Sequence, residues 1–308
     1  MPNTKLSIES DTLLSDNMLL FWEHDEKTYM CHIKPDCEPA NPRRSDTDNN
    51  LATLACFHSR HIGLGDGLDT KTPSEFWEGL VRKHVENNEL LAKIRAGQID
   101  GFEQILPAQD IETIDPDKLL DVFYGAVSDG EIKYAMAALN DRLCWLHMWL
   151  YDHSGLTISC GERTAPFNDP WDSSCIGWAV MDKNTAMSEL AAGENNWREK
   201  AVACIKSEVA SYDKYLTGDI WMYALYASDR SIGENECGRY PNGNTCSDNN
   251  SWGDTIDETC GFEGPYLMAS GIPQTIGCGL PEALAAGKYW TGTANARTIV
   301  VYNYIRNA

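Results

Sequence analysis

The chain has 308 residues, 43% of them hydrophobic and 10% aromatic, which is enough to bury a large core and sets an expectation of one or two domains. Only 23% are charged and no long low-complexity tract occurs, so wholesale disorder is excluded. The longest apolar stretches, such as LCWLHMWLY at residues 143–151, are about half of what a spanning helix needs, and the first residues show no basic-then-apolar leader, so the expectation is a cytoplasmic protein.

In chain order, residues 18–23 and 28–33 are apolar or aromatic runs separated by the charged turn HDEK, which predicts a hairpin. Residues 34–50, rich in Pro, Asp, Asn and Arg, predict an irregular loop. Residues 51–58 read as a buried strand or short helix, and Gly63, Gly65 and Gly67 as a turn after it. Thr72, Pro73 and Glu75 supply an N-cap, a first-turn proline and a capping-box acid. The helix they open carries Phe76, Trp77, Leu80, Val81, Leu91 and Ile94 on one side as far as Gly97.

Helices are predicted over residues 115–123 and 131–142, broken at Asp129 and Gly130, and then a strand over LCWLHMWLYDH. Residues 175–181 and 219–227 read as strands flanking a long helix at 194–216. Trp197, Ala201, Ile205, Val209, Tyr212 and Leu216 form one stripe of that helix, and Gly218 is its stop. From 229 to 292 Gly, Asn, Ser and Cys dominate, and a long irregular excursion, an interaction arm, is expected. TIVVYNYI at 298–305 should return as a strand. The expected fold is therefore α+β, a mixed sheet of non-contiguous strands with packed helices. Its core is residues 1–228 plus 293–308, and 229–292 form a separate arm or insertion.

Chemistry is harder to find. The chain holds 11 cysteines, an odd number, and no CxxC pair, so neither a disulfide framework nor a zinc knuckle is indicated. Cys237, Cys246, Cys260 and Cys278 are too widely spaced. Cys31, His32, Cys37, Cys56, His58 and His61 form the richer set of zinc-type ligands, against the plainer reading of Cys as small core residues. Asp152, His153 and Ser154 are adjacent, but on a strand His153 points opposite to the other two, so the three cannot form a relay among themselves. A His and Asp pair serving a distant group stays open. Asp169 and Asp172 could bind a cation, or the segment could be a turn in which Asp172 or Ser173 caps amides while Trp171 plugs the core. Tyr212, Asp213, Tyr215 and Asp219 read as a cap and aromatic anchor. No G-x-S-x-G, H-E-x-x-H or phosphate-binding loop is present.

Four segments carry a resemblance: YDHSGLTIS (151–159), PFNDPWDSSCIGW (166–178), YDKYLTGDIWMY (212–223) and CGFEG (260–264). With NPRRSDTDNNLATLACFHSRHIGLGD at 41–66, they resemble a widespread family of phage-encoded proteins, from which residues 232–252 and the tail beyond Pro265 depart as extra segments. In size and acidity the chain further resembles phage anti-defence inhibitors of the Gabija system. That likeness implies a non-enzymatic protein in the host cytoplasm, without cofactor or metal. Several copies would wrap the bacterial Gabija nuclease and helicase-like complex and block its DNA binding or cleavage.

The charge agrees with that expectation: 46 acidic against 25 basic residues leave a formal net charge of −21, spread along the chain, which repels nucleic acid and anionic lipid and favours basic protein surfaces. On this reading no residue is catalytic, the protein touches neither nucleic acid nor membrane, and it forms a homo-oligomer on its target. The alternative is a phage-encoded hydrolase or nucleotide-modifying enzyme using Asp152 and His153, or the Asp169 and Asp172 pair.

Overall fold

A computed structural model of the protein describes residues 12–44, 50–161, 164, 166–167, 169, 171–228, 245–246, 255–295 and 298–304. The chain divides into two compact units, Met1–Asn41 with Lys214–Ala308, and Pro42–Asp213.

In the first unit β1 (Met18–His24) and β2 (Lys27–Pro35) form the predicted hairpin, with Phe21 opposite Met30. The second unit opens with β3 (Thr53–Cys56), followed by a short 3-10 turn at Ile62–Leu64. Helix α1 (Pro73–His84) starts as its capping residues dictate. Thr72 Oγ1 accepts the Glu75 amide at 3.2 Å, while the Glu75 carboxylate reaches back to the Lys71 amide at 2.8 Å. The helix expected to run to Gly97 breaks at Val85 and restarts as α2 (Asn87–Arg95). The apolar period survives the break because Val85 is itself buried.

Next come α3 (Ala108–Thr113), α4 (Pro116–Ser128), capped by Asp115, and α5 (Ile132–Leu139). The predicted tryptophan-rich strand is β4 (Leu143–Asp152), and β5 (Leu156–Gly161), β6 (Ser173–Asp182), α6 (Lys183–Glu189) and α7 (Trp197–Thr217) follow. The unit boundary falls inside α7, between Asp213 and Lys214. The stripe foreseen on α7 is buried at Trp197, Ala201, Ile205, Val209 and Tyr212. The first unit resumes with β7 (Ile220–Ser228), β8 (Thr245–Cys246), β9 (Thr255–Glu263), α8 (Ile272–Ile276), α9 (Leu280–Ala286), β10 (Trp290–Asn295) and β11 (Thr298–Tyr304).

The fold is α+β, with one sheet in each unit. The first unit's sheet has the order β8-β11-β10-β1-β2-β7-β9 and the second unit's has β3-β6-β4-β5. The single mixed sheet expected from sequence is corrected on both counts, since there are two sheets and every ladder among the described residues is antiparallel. The reason is topological. The run of helices α1 to α5 crosses from β3 to β4, which run in the same direction, but β6 lies between them antiparallel to both, so the crossover creates no parallel ladder.

The domain boundaries also differ from expectation. Of the predicted arm, residues 229–244 and 247–254 lie outside the described residues, but 255–292 is no irregular excursion. β9 pairs with β7, and Ile272, Ile276, Leu280, Ala283 and Leu284 of α8 and α9 join the core of the first sheet around Leu20, Trp22, Cys31, Ile33 and Tyr223. Four of the glycines that gave this segment a loop-like composition, Gly271, Gly277, Gly279 and Gly287, take positive φ as helix caps.

The second unit's core places α1, α2, α4 and α5 on one face of its sheet. Phe76, Trp77, Leu90, Phe123 and Tyr134 pack with Leu143, Trp178 and Val180, and the Trp77 ring meets the edges of Trp145 and Trp178 at 5.4 and 5.6 Å. No helix among the described residues is long and apolar enough to cross a membrane.

Candidate functional site

Of the segments that carried the resemblance, 260–264 and nearly all of 212–223 fall in the first unit, and those of the second unit separate into two sets. The first builds an ion network. Arg43 has only 4% of its side chain exposed and donates to both carboxylate oxygens of Asp66 (2.6 and 3.0 Å), to Glu208 (2.7 Å), to Asn50 Oδ1 (2.7 Å) and to the Ala52 carbonyl (2.7 Å). Glu208 also accepts the Leu51 amide at 2.8 Å, and Asp66 the Leu54 amide at 2.7 Å. Burial opposes the charge on Arg43, yet the hydrogen bonds and charges of Asp66 and Glu208 outweigh it and hold the guanidinium's pKa above its ordinary value. Asn-Pro-Arg, Asn-Leu-Ala and Leu-Gly-Asp are therefore fold-building here: they tie the loop before β3 to α7.

The second set converges on a cleft of about 240 Å³ lined by His58, Arg60, Leu150, Asp152, Trp171, Asp172, Ser173 and Ser174. Three segments far apart in sequence meet there. The turn after β3 delivers His58 and Arg60 to the lining, with His61 next in the chain. The end of β4 delivers Asp152, with His153 next in the chain. The start of β6 delivers Asp172 and Ser173. The Asp152 amide donates to the Asp172 carbonyl at 2.9 Å, which fixes the second segment against the third.

The trio is not on one strand as expected, because β4 ends at Asp152 and His153 and Ser154 lie in the bend after it; Asp152 and His153 nonetheless enter two separate His–Asp pairs. Asp152 Oδ2 meets His61 Nε2 at 2.9 Å, while His153 Nδ1 meets Asp172 Oδ2 at 2.7 Å. Ser154, which takes a left-handed φ of 57°, turns the chain immediately after them. The His58 and His61 rings stack at 5.1 Å, and Tyr151 stacks on His153 at 6.0 Å. Each carboxylate orients a ring, and the ring nitrogen it does not engage is Nε2 of His153 and Nδ1 of His61.

Two further polar atoms at the cleft, His58 Nδ1 and Ser173 Oγ, are buried without a hydrogen-bond partner. Arg60 is exposed and has no ion pair among the described residues.

Several expectations change here. Trp171 does not plug the core: it is 93% exposed. It stands at the tip of a turn whose amides are capped by Asp169, which accepts from Trp171 N at 2.9 Å and Asp172 N at 3.4 Å, so the cap is Asp169 rather than Asp172 or Ser173. With Asp169 so used and Asp172 on His153, the two acids are not arranged as a cation pair. Of the six candidate zinc ligands, Cys31, His32 and Cys37 belong to the first unit and Cys56, His58 and His61 to the second, and among the described residues no group of three or more His, Cys, Asp or Glu side chains could hold a metal ion. Cys31 is wholly buried in the first core, and that burial pushes its thiol pKa far up, as befits a small apolar residue. Tyr212 is buried, as an anchor would be, but Asp213 lies inside α7 and accepts the Ile158 amide of β5 at 2.7 Å rather than capping the helix.

His61 and Arg60 as cleft residues were not singled out as acid–base candidates from sequence; the only local signal was the spacing of His58, Arg60 and His61 after a strand. A larger cleft, about 400 Å³, lies in the same unit around His84, Arg142, Asp182 and Lys183. Its charges are spent on one another: Arg142 pairs with Glu89 at 2.6 Å, Lys183 with Glu194 at 2.6 Å, and Asp182 caps α6. His84 and Asp182 interact electrostatically across it, but Asp182 is committed to capping α6 and no His–Asp hydrogen bond forms there among the described residues, so the smaller cleft is the better candidate.

No family model, no curated protein and no solved structure matches the chain.

Proposed function

We propose that the second unit is an acid–base hydrolase acting on a small anionic substrate at this cleft. The observation that carries the reading is the pair of His–Asp couples, His61–Asp152 and His153–Asp172, drawn from three segments and with both carboxylates lining one cleft. His153, with 63% of its side chain exposed, is placed to take a proton from water as the water oxygen bonds to the substrate's electrophilic centre. His61, 19% exposed, gives its proton to the leaving oxygen as the old bond breaks. One water is consumed, and proton exchange with solvent resets both rings. Arg60 supplies a positive charge for the substrate's anion in an otherwise acidic molecule.

The test is a panel of chromogenic phosphate and carboxylate esters with wild type, His153→Ala and Asp172→Asn. Loss of a general acid or base costs roughly 10²–10⁴ in kcat, so His153→Ala should fall by that amount at an unchanged melting temperature. Wild-type turnover that His153→Ala leaves untouched would remove the assignment.

A second reading, stoichiometric inhibition of the Gabija complex by a homo-oligomer, is favoured by the net charge of −21. It predicts co-elution with the purified complex as a species of defined mass, and inhibition that His153→Ala retains. The hydrolase reading predicts substoichiometric action that His153→Ala abolishes.

A further inference from the structure

Trp171 is the most exposed large apolar side chain of the described residues, at 93%, and it lines the same cleft as Asp152 and Asp172, the carboxylates of the two His–Asp pairs. A fully solvated indole beside a polar cleft is a stacking platform without a stack, and base–aromatic stacking is tolerant of base identity because every base has a π-face. Arg60, also lining the cleft, has no ion pair among the described residues although the chain carries a net charge of −21. A cation left unpaired in such an excess of acid is free to engage a ligand's anion. His58 Nδ1 and Ser173 Oγ, both buried and unpartnered in the wall, add polar atoms that a ligand's hydroxyl or phosphate oxygen can satisfy.

Size narrows the ligand. About 240 Å³ is below the range of pockets that enclose a drug-sized molecule, so the cleft can take a sugar phosphate but not a ring system as well. The ring must then lie outside, where Trp171 stands. The net charge narrows it from the other side: a long polyanion meets an unfavourable field, whereas a mononucleotide carries one small anion to one arginine.

We infer that the cleft binds a nucleoside phosphate, its base stacked on Trp171 and its phosphate held by Arg60 beside His58. The inference rests on the hydrolase reading for what happens next, but binding is testable without turnover.

Calorimetric titrations in a His153→Ala background, which keeps heats free of hydrolysis, would use adenosine 5′-monophosphate, adenosine and inorganic phosphate. Adding Trp171→Ala should weaken nucleotide binding about tenfold or more and leave phosphate binding unchanged, with Trp171→Phe restoring most of the loss. Arg60→Gln should weaken nucleotide and phosphate but not adenosine. Equal nucleotide affinity with and without Trp171, or no heat at millimolar nucleotide, would overturn the inference. The two proposals fail separately. Nucleotide bound through Trp171 but never turned over by the wild type sinks the hydrolase alone. Ester hydrolysis that the nucleotide does not compete with sinks the nucleotide alone.

Discussion

Arg43 shows how much one residue can hold. Its guanidinium bridges two carboxylates, a side-chain amide and a carbonyl, all within the second unit, and it is almost wholly shielded from water. Truncating one partner of a buried ionic network leaves the others uncompensated, at a cost of about 3–5 kcal/mol. Arg43→Ala should therefore lower the urea midpoint by an amount in that range, moderated where Glu208 keeps the Leu51 amide, and Arg43→Lys should recover charge but not the bidentate grip on Asp66. A loss below about 1 kcal/mol for Arg43→Ala would show the network to be peripheral.

The same scale shows what sequence could and could not reveal. Strand alternation was expected to separate Asp152 from His153, but β4 ends at Asp152, and it is the bend after the strand that puts the two on different partners. The partners themselves were out of reach, because His61 and Asp152 are 91 positions apart and only the pairing order of the sheet brings them together. Trp171 was misplaced for a related reason: a tryptophan among turn residues carries no periodicity to say which side it faces.

Among the elements, the pairing of β3 with β6 depends on one glycine. Gly177 lies opposite Cys56 with φ at +152°, and a Cβ built there would sit 1.8 Å from the Ala55 carbonyl oxygen. Neither chain can yield without breaking the ladder that positions His58 and Asp172, so Gly177→Ala should cost more than about 4 kcal/mol and leave little soluble protein. Gly79 is the control. It sits exposed in α1 with nothing near its Cβ position, and Gly79→Ala should instead raise stability by about 0.5–1 kcal/mol in denaturant melts.

Elements announced by local chemistry were legible: the β1–β2 hairpin by its charged turn, α1 and α4 by cap and proline, and α7 by its stripe. Elements whose existence depends on a partner were not. β9 is a largely exposed strand of polar residues, TIDETCGFE, held by pairing with β7 rather than by its own pattern, and α8 and α9 are too short for a period to show. The break between α1 and α2 carries neither proline nor glycine, so nothing in the apolar spacing marks it.

For the whole molecule, charge and pH pull against each other. At neutral pH the net charge of −21 repels itself, and lowering the pH toward the isoelectric point of about 4.6 relieves that strain. Specific carboxylates act in the opposite sense. The hydrogen bond from Arg142 holds the Glu89 pKa below its ordinary 4.5, partly offset by burial. Burial would raise the Asp182 pKa, but the Thr185 amide and hydroxyl outweigh it and bring it below its ordinary 3.8. A carboxylate with a depressed folded pKa contributes stability that is present above its unfolded value and lost as pH falls through the folded one. Repulsion therefore dominates above pH 4.5, and the loss of these two groups below it. The melting temperature should hold or rise from pH 8 to about 5 and fall steeply below about 4, and salt should raise it at pH 8 by screening. Glu89→Gln should flatten part of the acid limb, modestly because the pair is partly solvated. A melting temperature that falls steadily from pH 8 downward would mean that paired carboxylates outweigh net repulsion throughout.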